Sequence, residues 1–459
     1  MKQEELEHLI RRQRARFDAG ATLPVPARLA ALHRLEQALS AHEADILEAL
    51  RADLGKSADE SWMCEIGMVR SELRYMLRHT RALARERRVP TPLAQFAARS
   101  YVKPSPRGVT LVMSPWNYPL LLALGPMIDA LAAGNTVILK PSAYAPATAS
   151  VLKALISEAF PSSLAAVVTG GREENQVLLH QKFDFIFFTG SQAVGKEVLR
   201  CAAEHLTPVL LELGGQSPCI VDKTADLRLA ARRIVFGKLL NCGQTCVAPD
   251  YLCVEQSVVQ PLLAEIRREI TRQLGECPLR NPAYGQIISR THFDRLCGLL
   301  GGEHILFGGE TDPAALRIAP AVVAPCSWES PAMQQEIFGP ILPVMTFRSL
   351  DSLLRQINAR PHPLALYFFS SDRAAIRRVT AHACFGGGCI NDTVIHLATE
   401  HMGFGGVGES GMGAYHGKTG FDSFSHLKSI VDKKTCVDLP MRYQPYTPLS
   451  RRLIRLFLR

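Results

Sequence analysis

Two short segments hold reactive side chains in positions suited to chemistry. In Asn241-Cys242-Gly243-Gln244-Thr245-Cys246-Val247-Ala248-Pro249, Cys246 occupies a Gly- and Pro-bounded turn between a helical and a strand-like run. Such a turn can expose a thiol together with backbone N–H groups. A free thiol titrates near pH ~8.5, so local donors or positive charge must favour the thiolate before it becomes a strong nucleophile. The competing reading is an inert packed cysteine. In Leu211-Glu212-Leu213-Gly214-Gly215, Glu212 lies at the end of an apolar strand that runs directly into a double glycine. Open parallel sheets bind ligands at the carboxyl ends of their strands. Glycine there lets a ligand approach the backbone, and a carboxylate can be tuned as a general base. A capping or ion-paired acid is the alternative. Finally, Gly190 to Gly195 follows a strand and opens a helix, whose first N–H groups can face a pyrophosphate. Its Gly-x-x-x-x-Gly spacing is not the usual dinucleotide fingerprint, and from these residues alone a plain helix start is the stronger reading.

The elements that must position these residues follow from hydrophobic period and Gly/Pro punctuation. Residues 3–88 are rich in Ala, Leu, Arg and Glu and read as helices wrapped around something else, with no evident chemistry of their own. Pro90, Pro92, Pro104 and Pro106 mark a non-helical arm or connection. Beyond it, strands are expected over 108–113, 136–140, 165–169, 183–188 and 208–213. Helices are expected over 119–133, 147–160 and 192–204. This β-α-β alternation predicts a parallel, doubly wound sheet. A second α/β region follows Gly214-Gly215, with a helix over 226–240 and a strand over 251–254. The expected organisation is α/β with two doubly wound domains. Residues 1–88 and 108–213 form a cofactor domain, 214–400 a catalytic domain, and 89–107 with 401–459 a bridging or oligomerisation arm and a tail.

Composition narrows the function. The chain has 459 residues, 47% hydrophobic and 21% charged, enough for a sizeable core in two or three domains. No apolar run reaches the roughly 18 residues of a membrane span, and the polar amino terminus lacks a signal-peptide core. Twelve scattered cysteines without a compact framework suggest reduced thiols and a cytoplasmic location. Cys242 and Cys253 form no Cys-x-x-Cys pair, so no metal site is expected. The net charge of +9 comes without interleaved aromatic stacking residues, which argues against nucleic acid.

Taken together, Ser114-Pro115-Trp116-Asn117-Tyr118-Pro119, Lys140-Pro141-Ser142, Phe188-Thr189-Gly190-Ser191-Gln192-Ala193-Val194-Gly195, Glu212-Leu213-Gly214-Gly215, Gly243-Gln244-Thr245-Cys246 and Glu336-Ile337-Phe338-Gly339-Pro340 resemble the aldehyde dehydrogenase superfamily. The resemblance spans nearly the whole chain. The late segment Phe404-Gly405-Gly406-Val407-Gly408-Glu409-Ser410-Gly411 looks most like the class 3 branch, which includes fatty-aldehyde enzymes. It implies NAD(P)-dependent oxidation of aldehydes, medium to long aliphatic or aromatic, to carboxylic acids by a homodimer. Cys246 would form a thiohemiacetal and then a thioester, and Glu212 would activate the hydrolytic water. The Asn117 side chain and the Cys246 N–H would meet the oxyanion. The cofactor residues implied are Trp116, Lys140, Thr189, Gly190, Ser191, Gly195, Leu213, Glu336 and Phe338.

One departure stands out. The family's glutamate three positions after Lys140 is here Ala143, which removes a partner for a ribose 2′-hydroxyl and a repellent for a 2′-phosphate, so NADP should be well accepted. Other readings are an acylating enzyme that passes the acyl group to coenzyme A, against which Glu212 argues, and a non-catalytic membrane-associated protein on the same fold. In the tail, Leu453, Leu456 and Phe457 face away from Arg452, Arg455 and Arg459. Such a helix suits weak peripheral contact with an anionic membrane, or docking on the protein's own surface or a subunit partner.

Overall fold

The computed structural model describes residues 3–458. Met1 and Lys2 of the polar amino-terminal stretch, and Arg459 of the basic tail, lie outside the described residues. Helices Gln3–Asp18, Val25–Ala41 and Glu43–Leu54 open the chain. The first carries Glu4 and Glu5 in its first turn and Arg16 in its last, matching the helix dipole at both ends. Ala58–Ser61, the π-turn Trp62–Ile66 and Gly67–Leu83 follow one another without a break. Strand β1 (Arg87–Val89) and the long β2 (Ala98–Pro106) occupy the Pro-rich stretch. The helix thus ends before Arg87 and Arg88, which sit on a strand and not in the helical stretch expected over 3–88.

The first large sheet uses β3 (Val109–Met113), β4 (Thr136–Lys140), β5 (Ala165–Val167), β6 (Phe185–Gly190) and β7 (Val209–Leu213). Helices Leu121–Ala133, Pro146–Ala159, Arg172–Leu179 and Gln192–Ala203 connect them, and the strands are mutually parallel. Both faces are covered, so β3 and β4 are buried throughout, and this is why they read as continuous apolar runs without alternation. The second sheet draws on β8 (Pro218–Val221), β9 (Tyr251–Glu255) and β10 (Ile305–Phe307). After a small hairpin of β11 (Thr311–Asp312) and β12 (Arg317–Ile318), it adds β13 (Ala321–Val323), β14 (Ile341–Phe347), β15 (Ala365–Phe369) and β16 (Gly387–Ile390). Its order is β10-β13-β14-β9-β8-β15-β16, parallel except at β10.

The closing segment is distributed over several parts of the molecule. β17 (Gly411–Met412) pairs antiparallel with β7, setting Gly411 opposite Glu212. The first sheet then reads β17-β7-β6-β3-β4-β5. The chain winds outward from β3 to β5 and restarts beside β3 at β6, so the direction of winding reverses between them. At such a switch point the loops after the two strands diverge and leave a crevice for a ligand. β18 (Ser425–Lys433) runs antiparallel to β2 from Ser425 opposite Pro106 to Lys433 opposite Ala98, forming a three-stranded arm in the order β1-β2-β18. Helix Pro448–Phe457 ends the described chain.

Candidate active site

The turn before Cys246 has an unusual backbone. Helix Leu227–Leu239 starts at Asp226, whose carboxylate accepts the Leu229 N–H. At its far end Asn241, Cys242 and Gly243 all take left-handed conformations, with φ of 52°, 55° and 76°. A non-glycine residue there costs about 1–2 kcal/mol, so neighbours must hold it. Glu60 accepts the Asn241 N–H at 2.6 Å, and the Asn241 amide donates to the carbonyls of Asn117 (2.8 Å) and Gln244 (3.1 Å). The buried Gln244 side chain donates to the carbonyls of Asn241 and Gln286 and accepts the Ile288 N–H, all at 3.0 Å. Position 243 admits only glycine for a second reason: a Cβ would lie 2.2 Å from the Gly339 carbonyl oxygen. Beyond the turn, Tyr118 bonds Thr245 and Tyr367 donates to the Val247 carbonyl, each at 2.6 Å. Cys246 is thus fixed on both sides.

Two cavities meet at that thiol. The larger, of about 550 Å³, lies over the switch point and is lined by Trp116 and Asn117 after β3 and by Thr189, Gly190 and Ser191 at the end of β6. Glu212, Leu213 and Gly214 close it from β7, and Glu336 and Phe338 from the second domain. The smaller, of about 190 Å³, lies on the other side and is walled by apolar side chains such as Met63, Met68, Phe236, Leu240, Val394 and Leu397. Cys246, Leu122, Phe404 and Tyr415 line both. Residues with left-handed φ gather here too: beside Asn241 and Cys242, Phe338 lines the larger cavity, and Val394 and His416 the smaller. Such costly backbone persists only where the surroundings over-determine it, as at functional sites.

The electrostatics are set by burial. Both Glu212 carboxylate oxygens are buried without a hydrogen-bond partner, and desolvation pushes this carboxyl well above the usual range. Desolvation also raises the Cys246 thiol, helped by the charges of Glu336 and Glu212, while its own N–H and that of Val247 pull the other way. Glu336 is pushed up to about 8, first by burial and then by Asp250, against the Gly215 N–H, Arg295 and Lys238.

The larger cavity fits a dinucleotide. The Thr189 hydroxyl is buried and unpartnered, and helix Gln192–Ala203 begins there with Ser191 as its cap. Glu336 accepts the Gly215 N–H at 3.2 Å, and this approach depends on Gly214, where a Cβ would come 2.1 Å from a Glu336 oxygen. Trp116 and Phe338 meet edge to face at 5.3 Å. Lys140 and Gly195 are not brought into this lining. The buried Lys140 amine donates to the carbonyls of Pro141 (2.9 Å) and Gly170 (2.7 Å), and burial lowers it to about 8. Gly195 packs under Leu213, where a Cβ would lie 2.8 Å from a methyl group.

The aldehyde dehydrogenase family matches residues 1–430. The chain belongs to the aldehyde dehydrogenase family. It is 44% identical to the 4,4'-diaponeurosporen-aldehyde dehydrogenase of Staphylococcus aureus, over 94% of this chain and 95% of that one. To aldehyde dehydrogenase family 3 member B1 of Bos taurus it is 43% identical, over 97% of this chain and 96% of that one. The solved structure of the substrate-bound state of Staphylococcus aureus AldH has a TM-score of 0.97 and 42% identity over 99% of each chain. The chain is an oxidoreductase that oxidises aldehydes to carboxylic acids with NAD or NADP through a cysteine-bound thioester.

Sequence reasoning missed one wall of this aldehyde dehydrogenase. The helical stretch 3–88, expected to carry no chemistry, supplies Met63, Cys64 and Met68 to the smaller cavity. It also supplies Glu60 to the turn before Cys246. The helical period hides this, because the π-turn Trp62–Ile66 shifts the register by one residue. Cys242, four positions before Cys246, is a buried free thiol.

Proposed function

We propose that Cys246 is the nucleophile, Asn117 the oxyanion donor and Glu212 the base. The observation that carries this is that Cys246 lines both cavities, while Asn117 and Glu212 line the larger one beside it. Cys246 adds, as the thiolate left once its proton has passed to water, to the carbonyl carbon of an aldehyde. The resulting oxyanion meets the Cys246 N–H and the Asn117 amide, one hydrogen of which is anchored on the Gln244 carbonyl at 3.1 Å, leaving the other for the oxyanion. NAD or NADP, when bound, supplies the hydride acceptor. Trp116, Thr189, Gly190, Ser191, Leu213, Glu336 and Phe338 would hold it, with Lys140 and Gly195 supporting the adenosine end and the helix start. Glu212 then takes a proton from the water that hydrolyses the thioester. Cys246→Ala should abolish aldehyde-dependent NAD(P)H formation while cofactor binding, read by fluorescence, persists. Turnover surviving that substitution sinks the assignment.

The apolar lining of the smaller cavity supports medium to long aliphatic or aromatic aldehydes, as does similarity to an enzyme named for diaponeurosporenal. Ala143 supports acceptance of NADP, although Lys140 also feels the charge of Glu174. Turnover with NAD far above that with NADP at equal concentration overturns this. A homodimer through the arm is supported by Leu427 and Val431, exposed on its edge strand β18. Free cysteines throughout the chain support a cytoplasmic location, and among the described residues no helix is long and apolar enough to cross a membrane. The terminal helix exposes Leu449 and Leu456, and Leu458 follows at its cap, which supports weak peripheral membrane contact, while Leu453 and Phe457 of the expected apolar face are half-buried.

A further inference from the structure

The Asn117 turn is gripped from below by a buried ion pair. Lys56 and Glu65 are fully buried, with Nζ and Oε1 2.5 Å apart. The same Lys56 ammonium donates to the Asn117 carbonyl at 2.9 Å and sits 4.1 Å from the centre of the Tyr118 ring. The other Glu65 oxygen accepts the N–H groups of Leu120 (2.8 Å) and Leu121 (3.1 Å), where the following helix begins. One pair therefore holds both ends of the short segment that carries Asn117. Glu65 reaches it from the π-turn Trp62–Ile66, a distortion that recurs at functional positions.

A buried ion pair adds little net stability, because desolvating both charges offsets their attraction. What it supplies here is geometry. The Asn117 carbonyl receives Lys56 on one hand and the Asn241 amide on the other, so the oxyanion turn and the nucleophile turn are tied at a single oxygen. Donors serve an oxyanion only when aimed at where the charge develops, and small displacements are costly.

We propose that Lys56 and Glu65 are positioning residues that set the Asn117 amide against the thiohemiacetal oxyanion. This rests on the assignment of Asn117 as oxyanion donor. The test is a double-mutant cycle read on the first-turnover burst of NAD(P)H, with cofactor dissociation constant and thermal unfolding measured alongside. Asn117→Ala alone should slow the burst about 10²-fold, and an unchanged burst there overturns the Asn117 assignment itself. Lys56→Met should slow it about tenfold in the wild-type background and less than about twofold in the Asn117→Ala background, since it acts through that amide. Cofactor affinity should not change. Equal losses in both backgrounds, or a parallel loss of cofactor binding, overturn the positioning role while leaving Asn117's role intact. Glu65→Gln keeps an acceptor oxygen for Leu120 and Leu121 and should show the same non-additivity, which carries the cycle if Lys56→Met does not fold.

Discussion

At the scale of single residues, Glu212 combines burial with two unsatisfied oxygens. A base with no partner to relinquish can take a proton from water directly, but only once it has lost its own. Its raised pKa means that thioester hydrolysis should be slow in acid and rise with pH until Glu212 ionises. Single-turnover deacylation should follow that curve, and Glu212→Gln should flatten it, slow hydrolysis by about 10²–10⁴-fold and keep the first-turnover NAD(P)H burst. Loss of the burst contradicts the division of labour between Cys246 and Glu212. Glu336 makes a stability prediction. Its folded pKa of about 8 lies above that of an unfolded glutamate, so the stability it contributes is complete below about pH 4.5 and lost as pH rises through about 8. In cofactor-free protein, Glu336→Gln should therefore gain on wild type in urea unfolding between those limits, and a constant difference contradicts the shift. That Cys246, Glu212 and Asn117 share one cavity lining was legible because each stands in a contiguous motif. Met63, Cys64 and Lys56 were not, since nothing local shows that Met63 and Cys64 will share a cavity with the distant Cys246, or that Lys56 will donate to the Asn117 carbonyl 61 positions on.

At the scale of elements, the left-handed run Asn241-Cys242-Gly243 turns a helix end into a platform for the thiol. Asparagine tolerates this conformation better than most residues and glycine is unhindered in it. Gly243→Ala should cost at least about 2 kcal/mol in urea unfolding, combining left-handed strain with the clash against the Gly339 carbonyl. A neutral outcome would show that the turn can relax. The strands β3, β4 and β7 were predictable to within a residue because they are buried on both faces and bounded by Gly, Pro or Asn. The expected helix over 119–133 begins instead at Leu121, where Glu65 accepts the preceding N–H groups from a distant segment. Sequence pattern marks where a helix can start, and this tertiary cap decides where it does.

At the scale of the whole molecule, residues 401–459 read as an arm and a tail, yet β17 returns to lie along β7 opposite Glu212. A two-residue antiparallel pairing has no periodicity to detect, so this return was invisible. The proposed dimer through the arm is tested by Leu427→Glu with Val431→Glu, which should shift sedimentation velocity toward monomer with the fold intact; no shift removes the arm as the interface. Removing residues 448–459 should lower co-sedimentation with anionic vesicles without changing turnover, and equal sedimentation removes the membrane reading. The meeting of two cavities at one sulfur also has a pharmacological corollary. A small inhibitor seated in the apolar cavity and another in the dinucleotide cavity need not exclude each other, because the two linings share only Leu122, Cys246, Phe404 and Tyr415. Their effects on the enzyme should then multiply, and joining them through a linker past Cys246 would yield a ligand whose selectivity comes from the apolar half.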